Sequence, residues 1–264
     1  MKNGFAVIFA VCLALGASWI GFVVAPAMQL GGLQQTAVLN TSDVYPPQRT
    51  GDATLGLQVY RANGCAACHT EQVRQEGVTC EVVLTAPGKN PQTVTNLLAT
   101  LTLKQLTKAQ ADAVSATITA AGGKVETHIV PAGADLEHGW GVRRSVAEDF
   151  LYDYPVQLGN LRAGPDLANI GLRSPDANWH LLHLYAPRSE VATSRMPSFR
   201  YLFTVQKIGA APAPDALNLP AAFAPPAGYE VVPKPEAKEL AAYLLSLRAN
   251  QPVYDAPFTP PAQP

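Results

Sequence analysis

The sequence predicts a mainly α-helical chain: one N-terminal transmembrane helix, then a helical domain interrupted by a small α/β inserted module. Three observations carry this. A charge-free apolar run fills the N-terminus, helical patterns flank a Cys-x-x-Cys-His motif and close the chain, and a strand–helix–helix–strand pattern lies within residues 77–132. At 264 residues, with 48% hydrophobic and 15% charged side chains, the chain has the composition of a globular or membrane-linked protein with a real core. Its formal net charge is −1 and it has no basic run, which excludes an electrostatic nucleic-acid binder.

Gly4 to Ser42 carries no charged residue, and Phe5–Val24 is long enough to cross a hydrocarbon core. Lys2 predicts a cytoplasmic N-terminus, so the rest of the chain is expected on the far side of the membrane. Trp19 falls near the outer end. Ala25-Pro26-Ala27 resembles a cleavage site, so a retained anchor and a cleaved signal both stand as readings. Ala14 with Ser18, and Ala17 with Gly21, put small residues at a spacing that lets a second membrane helix approach. The expected division is an anchor over 1–30, a linker over 31–51, a domain built from 52–76 and 133–250, the insert 77–132, and a tail over 251–264.

Cys65-Ala66-Ala67-Cys68-His69 reads as an attachment site for one covalent haem c. Two thiols add across the vinyl groups, and the adjacent His69 is held under the iron. A zinc half-site or a redox dithiol would use the same cysteine spacing. The first lacks a second ligand pair, because only Cys12 and Cys80 remain. The second requires a strand leading into the motif, whereas Thr54–Arg61 reads as a helix that ends at Asn63-Gly64.

Gly164-Pro165-Asp166-Leu167, a later loop methionine and a closing helix together resemble the class I cytochrome c fold. The resemblance implies that the Pro165 carbonyl accepts the Nδ1 proton of His69 and that the 164–167 turn, Leu167 included, lines the cofactor. Of three methionines, Met1 and Met28 belong to the membrane end, so Met196 is the thioether left for the sixth position. A core methionine, or a bis-histidine site using His180 or His183, stays open. Glu236–Leu247 is the closing helix, with Leu240, Tyr243, Leu244 and Leu247 on one stripe. Gly56 and Tyr60 on the first helix would let the two cross closely.

Gly159–Gly171, Trp179-His180, His183-Leu184, Pro187-Arg188, Met196-Pro197 and Cys68–Arg74 together resemble subunit II of cbb(3)-type cytochrome c oxidase, the mono-haem subunit. That family implies a single-pass protein of the bacterial inner membrane with a periplasmic haem domain. It would pass single electrons to a haem-copper catalytic subunit, beside a di-haem cytochrome subunit. One membrane helix without histidine cannot itself hold an oxygen-reducing centre. Arg162 and Arg173 are candidate haem-propionate partners or surface arginines. Trp179 packs on the haem or fills the core.

His69 and Met196 are far apart for such a domain, and the insert accounts for the gap. Its expected elements are a strand over 80–84, helices over 90–101 and 108–121, and a strand over 124–130. It is faintly similar to the C-terminal domain of the bacterial ribosomal stalk protein. Cys80 has no account, and His128 and His138 are expected at the surface. Ala210–Pro235 is expected to be a long Pro/Ala-rich loop, and the tail from Gln251 extended. Besides a fixed oxidase subunit, the sequence leaves an independent membrane-tethered carrier, a haem enzyme or gas sensor with an open sixth position, and an interaction module.

Overall fold

The computed structural model describes residues 4–257, so residues 1–3 and tail residues 258–264 lie outside the described residues. Gly4–Leu30 is one apolar helix of 27 residues, long and apolar enough to cross a membrane. At a rise of about 1.5 Å per residue it exceeds a hydrocarbon core of about 30 Å. It widens to a π turn over Ile20–Val24. Pro26 explains this: it has no N–H for the Phe22 carbonyl, and the Ala25 N–H reaches back to Ile20 O instead. The helix stops before Gly31-Gly32.

The linker is more ordered than its sequence suggests. Thr36–Ala37 pairs with Val44–Tyr45, and Val38 and Tyr45 pack with Val146, Val253 and Ala256. The described part of the tail therefore turns back onto the linker, with Val253 bridged to Ala256 and Leu39 N–H donating to Pro252 O. It is not extended.

Thr50 caps the opening helix Gly51–Ala62, accepting from the Ala53 N–H. The helix buries Ala53, Gly56, Leu57 and Tyr60 against the closing helix, Pro235–Ser246. At Gly56 the two backbones nearly touch: a Cβ there would lie 1.9 Å from Glu239 O. Tyr60 and Tyr243 meet beside it with ring centroids 5.2 Å apart. Leu167, Ile170, Leu182, Tyr185, Leu202, Phe203, Val231 and Leu240 complete this core.

The insert forms a cluster of its own. Strand Gly77–Ala86 pairs antiparallel with Lys124–Ala132, in a register running from Gly77↔Ala132 to Ala86↔Lys124. Residues 103–106 add backbone bonds along the other edge: Val82 N–H to Leu103 O, and Cys80 exchanging both bonds with Leu106. Helices Pro91–Leu98 and Lys108–Ala120 cover one face, the second opened by a Thr107/Gln110 capping box. Cys80 is buried there with Val82, Val94, Leu106, Ala111 and Ile118, so it serves as a small apolar core residue. His128 and His138 are exposed.

The chain is mixed helix and sheet, so the mainly helical expectation holds only in part. The segment 210–235 is the clearest correction. Tyr229–Pro233 is a strand paired with Phe203–Lys207, with Val231 fully buried and the Glu230 carboxylate bonded to Gln206 and the Ala213 N–H. Strand-favouring Tyr229, Val231 and Val232, paired with Phe203–Lys207, outweigh the proline-rich composition around them.

Candidate haem site

The opening helix ends because Asn63 returns its side-chain amide to Val59 O and Gly64 takes a left-handed φ of 66°. That reversal leads directly into the 3-10 turn Cys65–Ala67, which draws the His69 N–H onto Cys65 O at 3.0 Å. Cys65 is half-buried and Cys68 exposed, and neither is in a disulfide. Burial pushes the Cys65 thiol up to about 12. A dithiol that exchanges disulfides needs the opposite shift.

His69 is half-buried, and its Nδ1 lies 2.8 Å from Pro165 O. A carbonyl can only accept, so Nδ1 carries the proton and Nε2 keeps a lone pair for a metal. Burial lowers the His69 pKa against the raising effect of the Pro165 bond, so the ring is held neutral. Gly164 makes the approach possible. Its N–H donates to Cys68 O at 3.0 Å, and a Cβ at this position would sit 2.3 Å from the imidazole Cε1.

Val59, Cys65, Ala66, Leu181, Met196, Phe199, Leu219 and Phe223 pack onto the main core while staying only partly covered. Half-covered apolar side chains on the core and a free imidazole nitrogen in the same domain fit an apolar metal macrocycle such as haem. Met196 comes from the loop after Val191, with its N–H on the Ser194 hydroxyl at 3.3 Å. Trp179 stacks on His183 with ring centroids 4.9 Å apart. His183 Nδ1 is buried with no hydrogen-bond partner, and burial, then the nearby His69, lowers its pKa to about 4. His180 is fully buried and its Nε2 is bonded to Ser174 O at 2.8 Å.

The structure brings Cys65, Cys68, His69, Pro165 and Leu167 together, with the Leu167 N–H on Thr70 O at 2.7 Å. The two arginines are held by protein oxygens close to the turn. Arg162 directs its guanidinium to Asp135, Thr70 and Gln72, leaving one of its five N–H groups. Arg173 donates to Asp166 O.

Sequence reasoning missed Thr70, Glu71, Asp135 and Asp166. Glu71 is fully buried and accepts the Tyr243 hydroxyl at 2.9 and 3.1 Å, near the Arg49–Asp153 pair. Burial first, then the Asp153 charge, pushes it up to about 8 from 4.5. With the folded value raised, stability is fullest below 4.5 and falls as pH rises through about 8. Glu71→Gln is therefore expected to flatten that fall: the variant unfolds like wild type at pH 5 and gains a few kcal/mol on it by pH ~9. Urea unfolding at the two pH values checks this, and equal pH slopes refute it.

A family model described as "Cytochrome C oxidase, mono-heme subunit/FixO" matches residues 135–258. The match takes in Arg162, the 164–167 turn, Trp179, Met196 and the closing helix, and begins beyond the Cys-x-x-Cys-His motif. A search of curated proteins gave no match. Residues 135–258 are thus similar to the FixO family, the mono-haem subunit of cytochrome c oxidase, and this agrees with the resemblance to subunit II of the cbb(3)-type enzyme.

Proposed function

We propose that this chain is the membrane-anchored electron-transfer subunit of a cbb(3)-type haem-copper oxidase. In this reading Gly4–Leu30 spans the bilayer with its N-terminus cytoplasmic. Residues 52–76 and 133–250 form a class I cytochrome c domain on the periplasmic side, and the insert 77–132 is a docking or spacer unit. Cys65 and Cys68 would hold one haem c by thioether bonds, and His69 and Met196 would be its iron ligands. The bound group supplies a one-electron couple. The chain contributes the rest: the Pro165 carbonyl orients His69 and strengthens it as a donor, and the half-covered apolar side chains on the core offer the group an apolar surface. A thioether opposite histidine raises the potential, as suits delivery to an oxidase. The catalytic subunit and a di-haem subunit are the partners.

The observation that carries the reading is the His69 ring, next in sequence to Cys68 and bonded through Nδ1 to Pro165 O, in a domain whose core bears half-covered apolar side chains. The orphaned Nδ1 of His183 favours one variant, in which that histidine replaces Met196. A haemochrome count with oxidised and reduced spectra of wild type, Met196→Ala and His183→Ala tests both. One haem per chain, with the weak long-wavelength thioether-to-ferric band lost only in Met196→Ala, is expected. Loss of low-spin character only in His183→Ala moves the ligand to His183. No haem in wild type overturns the function.

A further inference from the structure

The imidazole and its acceptor sit on two chain segments distant in sequence, 69–74 and 162–168, and a polar ladder fixes one against the other. Thr70 is 1% exposed and Asp166 fully buried. The Thr70 hydroxyl donates to Asp166 Oδ2 at 2.6 Å and accepts from Arg162 Nε at 3.0 Å, which uses its one proton and holds its rotamer. Asp166 also takes the Gln72 N–H at 2.8 Å and the Ala168 N–H at 2.9 Å. Arg162 Nη2 reaches Gln72 O at 2.7 Å. Every rung lies within a few residues of His69 or Pro165.

Arg162 is itself held from a third direction. Asp135, 4% exposed, grips the guanidinium with both oxygens, Nη2 to Oδ2 at 2.7 Å, and accepts the Arg74 N–H at 2.7 Å. The Trp140 ring lies under the guanidinium, 5.2 Å from its centroid. Asp135 stands where the chain returns from the insert, three residues past strand Lys124–Ala132.

We propose that the Asp135–Arg162 pair is a positioning device for the His69–Pro165 hydrogen bond, so that the return from the insert helps set the haem potential. The inference rests on the haem reading above. A short Nδ1–H···O bond makes the imidazole a stronger donor and favours the ferric state. Loosening the ladder lengthens that bond and raises the potential.

Arg162→Lys keeps the charge but loses the planar fork, and Thr70→Val keeps the shape but loses the hydroxyl. Neither alters net charge, so simple Coulomb effects do not move the potential. Each is made in the full chain within its membrane complex, and the haem is titrated potentiometrically. At the wild-type midpoint the reduced-to-oxidised ratio is expected to rise about threefold or more in both, with haem content retained. Arg143→Lys is the control. It loosens a more deeply buried pair with Asp149, whose bonds reach Tyr45, Gln251 and Val146 but not the His69 segment. It should lower thermal stability without shifting the potential. Unchanged or lowered potentials in Thr70→Val overturn the inference even if Arg162→Lys fails to fold. Absence of haem from wild type instead overturns the reading beneath it.

Discussion

Alanine in place of Gly164 is expected to cut haem incorporation by about tenfold or more, the scale seen when a ligand's orienting partner is lost. The added Cβ would lie 2.3 Å from His69 Cε1, 2.8 Å from Nδ1 and 3.0 Å from Nε2, so it presses on the whole ring. The backbone cannot retreat easily. Gly164 N–H is tied to Cys68 O at 3.0 Å and the next residues are tied through Asp166 to Thr70 and Gln72. The imidazole must turn, and turning breaks its bond to Pro165 O. A haem-to-protein ratio measured beside Gly209→Ala, where a Cβ meets nothing within 4 Å, isolates the effect. A Gly164→Ala protein with full haem and an unaltered ligand spectrum would refute the cradle.

What the sequence disclosed at this site was the chemistry that is local along the chain. The two thiols and His69 fall within five consecutive residues, and the 164–167 turn is one motif, so both are legible without a fold. The same holds for elements with a strong period: the insert's strands and helices are found at 77–86, 91–98, 108–120 and 124–132, within a few residues of expectation. Long-range polar pairing left no such trace. Arg162 stood out as a cation near the turn, but its partner comes from Asp135, and no spacing links the two. Glu71 looked like any acidic residue after the motif until the closing helix placed Tyr243 over it. The Phe203–Lys207 and Tyr229–Pro233 pair failed for another reason. Prolines on both sides signal a loop, and the strand-favouring stretch between them is too short to outweigh that signal without its partner strand in view.

Gly56→Ala separates two opposed physical effects cleanly. Considered alone, the opening helix gains about 1 kcal/mol from alanine, because glycine is the poorer helix former. Against this, the new Cβ would lie 1.9 Å from Glu239 O and 2.8 Å from Tyr243 Cβ, one a backbone atom and the other rooted in it. Neither is the end of a flexible side chain, so the whole closing helix must shift. That shift prises apart the Tyr60–Tyr243 rings, withdraws the Tyr243 hydroxyl from Glu71 and opens the core around Leu57 and Leu240. Overpacking that only moves side chains costs about 1–3 kcal/mol, and displacing a helix exceeds that range. A net loss of about 4 kcal/mol is expected, equivalent to a melting temperature lower by roughly 8–16 °C for a domain of this size. Gly51→Ala supplies the contrast, since a Cβ there has no neighbour within 4 Å at the start of the same helix. If Gly56→Ala instead melts higher than wild type, helix propensity has won and the close crossing does not hold this domain together.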